Sequence, residues 1–166
     1  MGNHEYSATV AWVRKADAKF TDNRYSRAHE WRFDGGTRVP ASSSPKVVPP
    51  PLSAEAAVDP EEAFVASLSS CHMLFFLFHA AKKGFIVDRY EDHALGTMGK
   101  NAEGRVAMLK IALRPLITWN GPAPSAGELE AIHHQSHLDC YIANSVKTDV
   151  VIEAPAVEAP AVEARV

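Results

Sequence analysis

Cys71 and Cys140 are the two thiols of a 166-residue chain, and their types and placement could carry chemistry. A thiol attacks only as its thiolate. To reduce a peroxide, that thiolate needs a hydrogen-bonding cation to hold it and polarise the O–O bond, and a second thiol to resolve the sulfenic acid. Arg24, Arg27, Arg32 and Arg38 lie upstream, and spacing alone does not choose among them. An arginine in an apolar site needs a carboxylate to orient it, and Glu61 or Glu62 could serve. The plainer reading is that each cysteine packs as a small hydrophobe. What favours redox chemistry is that each falls on the inward stripe of a different predicted helix, so packing of the helices can bring the thiols together.

Those helices are well marked. Asp59 is a natural N-cap, Pro60 suits the first helical position and Glu62 completes a capping box. Phe64, Leu68, Cys71, Phe75 and Phe78 follow at helical spacing until Gly84 ends the helix. Ser125 and Glu128 form a second capping box, opening a helix through Leu129, Ile132, Ser136 and Cys140. Strands are expected at Ser7–Val13 and Ala28–Phe33, then, after the Asp34-Gly35-Gly36 turn, at Thr37–Ala41. Val106–Trp119 reads as one half-buried strand over Leu109, Ile111 and Leu113, with Lys110 and Arg114 facing away, and Val146–Ile152 as a closing strand. Strands and helices grouped without a repeating strand-helix-strand unit point to an α+β fold.

Pro40–Pro51 is a proline-stiffened connector. Residues 153–166 repeat Glu-Ala-Pro-Ala-Val, with Pro155 and Pro160 breaking any helix, so the folded domain is expected to span 1–152 and the rest to be a disordered tail. With 17 Lys+Arg against 20 Asp+Glu the net charge is -3, which argues against a nucleic-acid partner. The longest apolar run, Met73–Phe78 and on past His79 to Ala81, is about half of what a spanning helix needs, so no membrane partner is expected. Met1–Val10 carries His4 and Glu5 where a signal peptide would be apolar, so a cytoplasmic protein is expected.

Two other readings remain open. His133, His137 and Cys140 fall at i, i+4 and i+7 of one helix and, with Cys71, could offer zinc four ligands, although neighbouring His134 suggests simple polar enrichment. His72 and His79 lie one and eight residues past Cys71; His72 could tune its neighbour only indirectly, since adjacent helical residues point in different directions. In the other reading the thiols are structural and the protein is a non-catalytic stress or binding protein.

Asp59-Pro60-Glu61-Glu62-Ala63-Phe64 followed by Cys71-His72 resembles the signature of the OsmC/Ohr family of hydroperoxide reductases. Cys140 four residues before Asn144 is similar to the family's second cysteine segment, and Tyr25-Ser26-Arg27-Ala28-His29 with Asp34-Gly35 to its arginine-bearing strand pair. Tyr141 departs from the family's usual proline. The resemblance covers about residues 5–152 and implies antiparallel sheets packed around two central helices in an intertwined homodimer. It also implies that Cys71 attacks an organic hydroperoxide, Cys140 resolves to a disulfide, Arg27 stabilises the thiolate and Glu61 orients Arg27. An external dithiol of the lipoyl type would be the reductant, with no metal or organic cofactor. Phe75, Phe76 and Phe78 could line an apolar pocket or simply fill the core. Ten residues of unbroken helix span about 15 Å, too far for one arginine to touch both Glu61 and Cys71 readily, so the Glu61 serving a given Cys71 is expected from a second subunit.

Overall fold

The computed structural model describes residues 2–153, so the predicted tail lies outside the described residues except for Glu153. The chain divides into two compact units, one ending at Phe64 and one starting at Val65, each of which is described by itself.

In the first unit β1 (Ala8–Ala11), β2 (His29–Phe33) and β3 (Arg38–Ala41) form an antiparallel sheet in that order. Trp31 stands opposite Val10 on one side and Val39 on the other. Gly36, at φ 83°, makes the turn between β2 and β3, a conformation that suits a residue without a Cβ. The first strand is shorter than its β-compatible residues suggest because Trp12 leaves the ladder. Its indole N–H donates to the Ser26 carbonyl at 2.7 Å, and its ring meets Phe20 and Tyr25. The proline-rich connector is strapped down: Ser42 N–H donates to the Val58 carbonyl, and the buried Ser42 hydroxyl accepts from Ala54 N–H, both at 3.0 Å. Asp59 forms the expected capping box, its carboxylate accepting from Glu62 N–H at 2.8 Å while Glu62 accepts from Asp59 N–H at 3.3 Å.

That cap opens α1 (Pro60–Lys82), whose greater part belongs to the second unit. By length and composition α1 could cross a bilayer, at a mean hydropathy of 1.5, because Leu68 and the residues around the serines and histidines add to the short run counted from sequence. Less than a quarter of that apolar stretch is buried within the chain, 22%. The buried stripe is Leu68, His72, Phe76 and Ala80; of the expected Phe64, Leu68, Cys71, Phe75 and Phe78 it keeps Leu68. A helix apolar on every side does not tell from sequence which face the core takes.

Two strands without a counterpart among the expected elements follow, β4 (Ile86–Asp92) and β5 (Leu95–Lys100). The expected strand 106–119 is two strands, β6 (Val106–Leu113) and β7 (Pro115–Asn120), which join different sheets. Arg114 N–H turns aside to donate to the Asp92 carboxylate at 2.6 Å, and Pro115 has no N–H with which to continue a ladder. β4 pairs with β7, while β5 pairs with β6. Next come α2 (Ala126–Asp139), whose Ser125–Glu128 capping box forms as expected, a short 3-10 turn at Ala143–Ser145, and β8 (Asp149–Ile152). β8 runs parallel to β6, whereas the other strand pairs are antiparallel and a single parallel bridge joins Ala41 to Val58. The ladder continues one residue beyond the expected boundary, Glu153 N–H donating to the Leu113 carbonyl at 2.7 Å. Ile111, Ala112 and Leu113 are buried in succession, so alternation fails there because both faces of β6 are covered. Phe76 and Ala80 of α1 pack with Leu129 and Ile132 of α2 against Phe85, Val87, Tyr90, Ile117 and Trp119, most of which belong to the β4–β7 sheet.

Candidate functional site

The second unit brings Cys71 and Cys140 together. Cys140 is not on α2 but caps it in an extended conformation, φ -67° and ψ 108°. The turn beyond it is held tightly. Asn144 donates from its side chain to the Leu138 carbonyl at 2.8 Å and from its backbone to the Cys140 carbonyl at 3.0 Å, and Ala143 N–H points at Cys140 Sγ from 3.4 Å. The Cys140 thiol is fully buried against that of Cys71, and no disulfide joins them. Burial pushes the Cys140 thiol up to about 11, opposed by the Ala143 N–H and reinforced by the neighbouring Cys71. Cys140 therefore holds its proton at neutral pH, whereas Cys71 is half-exposed.

Cys71 opens onto a cavity of about 460 Å³. α1 lines it with Ser67, Ser70, Cys71, Leu74 and Phe75, and the turn after Cys140 adds Tyr141 and Ile142. Phe75 and Tyr141 meet edge to face, centroids 5.1 Å apart at 85°. Of the three phenylalanines that could line a pocket, Phe75 does; Phe76 is buried in the core and Phe78 is 58% exposed. Sequence reasoning missed Ser67, Ser70, Leu74 and Ile142 as lining residues. The i, i+3, i+4, i+7 spacing of Ser67, Ser70, Cys71 and Leu74 was the available signal.

Arg27 and Glu61 belong to the first unit. The Arg27 guanidinium donates to the carbonyls of Tyr25 and Asn23 and to Asn23 Oδ1, the last at 2.8 Å, and lies 3.9 Å from the Tyr25 ring centroid. Arg32 and Arg38 both pair with Glu30 on the exposed sheet, and Arg24 is exposed, so Arg27 is the half-buried one of the four. Among the described residues no ion pair joins Arg27 to Glu61, whose buried Oε2 has no hydrogen-bond partner.

The four-ligand zinc arrangement does not form. Among the described residues no three His, Cys, Asp or Glu side chains converge as metal ligands. His133 turns instead to His72, Nδ1 to Nε2 at 3.1 Å, the rings stacked within 9° of parallel. Burial holds both far below the usual imidazole value: His72 at about 3, with the nearby His133 and His137 adding to the effect, and His133 at about 4. His79 is engaged by Asp139 at 2.8 Å.

A helix-borne thiol beside a buried second thiol, on an α+β framework of two helices and small sheets, defines a class. The model of the OsmC-like protein family matches residues 53–154, more than half of the chain, and the chain belongs to that family. An OsmC-like protein of unknown function from Vibrio cholerae O1 biovar eltor is 55% identical, superposes with a TM-score of 0.90, and is covered over its whole length by 92% of this chain. An organic hydroperoxide resistance protein from Elizabethkingia anophelis shares the fold at 14% identity and a TM-score of 0.68, covering 95% of this chain and 99% of that one. So does a putative organic hydroperoxide resistance protein from Vibrio cholerae O1 biovar eltor with captopril in one of its active sites, at 18% identity and a TM-score of 0.64, covering 93% and 92%. No curated protein matches the sequence.

Proposed function

We propose that this protein is a cysteine-based peroxidase that reduces organic hydroperoxides to alcohols in the cytoplasm. The observation that carries the reading is the asymmetric placement of the thiols: Cys71 opens on an apolar cavity while Cys140 is fully buried against it. The Cys71 thiolate attacks the terminal oxygen of R–O–OH. The O–O bond breaks, the alkoxide leaves and takes a proton to become the alcohol, and Cys71 becomes a sulfenic acid. Cys140 then attacks the Cys71 sulfur; an S–S bond forms and the hydroxyl leaves as water with the Cys140 proton. An external dithiol, of the lipoyl type in this reading, reduces the disulfide and is itself oxidised. Reduced protein mixed with an organic hydroperoxide is expected to lose two thiols per chain rapidly, and far more slowly with hydrogen peroxide. Loss at the rate of an ordinary thiol with both would overturn the reading.

In this reading Arg27 stabilises the thiolate and Glu61 orients Arg27, the Glu61 serving a given Cys71 coming from the other chain of a homodimer. Two observations support the arrangement: the buried Glu61 oxygen lacks a partner, and Leu74 and Phe78 leave one face of an otherwise apolar helix bare. Co-refolding Glu61→Ala with Cys71→Ser, each inactive alone, is then expected to restore about a quarter of wild-type activity, because half of the chain pairs are mixed and each mixed pair has one intact site. No restoration would place Glu61 and its Cys71 in the same chain.

A further inference from the structure

The cavity wall facing α1 is made by the residues that follow Cys140, and its largest side chain is Tyr141. Although Cys140 is fully buried, Tyr141 is 63% exposed. Its backbone is fixed from both sides, Asn144 N–H donating to the Cys140 carbonyl and the Ser145 hydroxyl donating to the Tyr141 carbonyl at 2.7 Å. The ring therefore does not stand in the cavity by packing into the core; the turn holds it there, in a T-shaped contact with Phe75. Two rings at 85° form a corner whose faces and edges offer a third ring both stacked and edge-on contacts, the arrangements that aromatic quadrupoles favour. Leu74 and Ile142 complete an apolar lining, with Ser67 and Ser70 beside Cys71.

We propose that Tyr141 is a specificity-determining residue that selects hydroperoxides bearing an aromatic ring close to the O–O bond. The inference rests on the peroxidase reading and deepens it. A ring seated in the Phe75–Tyr141 corner places its substituent along the cavity toward Cys71, whereas a compact branched alkyl group makes no comparable contact with the corner.

The test uses the full chain, reduced beforehand, with cumene hydroperoxide and tert-butyl hydroperoxide as the aryl and alkyl probes. Tyr141→Leu keeps an apolar side chain and removes the ring; Tyr141→Phe keeps the ring and removes the hydroxyl. Tyr141→Leu is expected to lower kcat/KM for cumene hydroperoxide roughly tenfold, mainly through KM, and to leave tert-butyl hydroperoxide within about twofold. Tyr141→Phe is expected to stay within about twofold for both. An equal fall with both peroxides, or none with either, overturns the inference. A wild-type protein that consumes neither peroxide sinks the peroxidase reading. The aryl preference of the Phe75–Tyr141 corner is then read separately from Cys71 alkylation: it stands if Tyr141→Leu slows phenacyl bromide severalfold more than iodoacetamide, and falls if both slow alike.

Discussion

Cys71→Ser is expected to abolish rapid consumption of organic hydroperoxide, by on the order of a thousandfold or more, because a serine hydroxyl supplies no comparable nucleophile at neutral pH. Cys140→Ser is expected to behave differently. Since Cys140 is buried behind Cys71, with its thiol pushed up to about 11, its loss is expected to spare the first attack and stop the cycle there. One equivalent of peroxide is then consumed per chain, Cys71 can be trapped as the sulfenic acid by dimedone and seen by mass, and steady turnover with a dithiol falls away. Cys71→Ser protein that still consumes peroxide rapidly would show that both thiols are structural. An equal loss of the first attack in both variants would mean that Cys140 takes part in activating Cys71, not only in resolving it.

Acidification from pH 7 to 5 is expected to destabilise the protein by about 2 kcal/mol for each histidine of the buried pair. His72 and His133 are 1% and 5% exposed, with native values at about 3 and about 4. In the unfolded chain they titrate near 6.5. The unfolded state therefore binds more protons than the native one throughout the interval between. The pair's stability is complete above pH 6.5, is lost as pH falls, and stops changing only when the native rings themselves protonate. The 3.1 Å contact needs one ring to donate and the other to accept, so both neutral rings satisfy it. Protonation of either would place a charge among Phe76 and the other ring, with His137 nearby. The carboxylates held low by their partners, Glu30, Glu128, Asp139 and Glu153, lose their contributions only in the more acidic range. Urea unfolding between pH 5 and 7 thus separates the histidines from these carboxylates, and His133→Gln is expected to remove about half of the dependence. A midpoint constant across that range in the wild-type protein would refute the account.

How much of this was legible depended on how local each cause is. Both capping boxes formed where Asp59–Glu62 and Ser125–Glu128 placed them, because a cap is decided by a few consecutive residues. The break at Arg114–Pro115 was not legible as a change of sheet, since the Asp92 carboxylate that takes the Arg114 N–H comes from far along the chain. Nor was β4, where Asp88, Arg89, Glu91 and Asp92 obscure any alternation. Cys140 looked like a further step of the α2 stripe, but the helix ends one residue earlier, and Asn144 ties the following turn back to Leu138.

By itself, then, the sequence determined the two helices, their starting points and the presence of one thiol on or beside each. Only the tertiary structure decided which face of α1 is buried. That choice turned His72 inward to His133 and left Cys71 on the cavity with Phe75, while Cys140 was buried and Tyr141 set across from it. The physical reason is that α1 is apolar around its whole circumference: no pattern within the helix prefers one face, and the sheet and α2 that pack against it do.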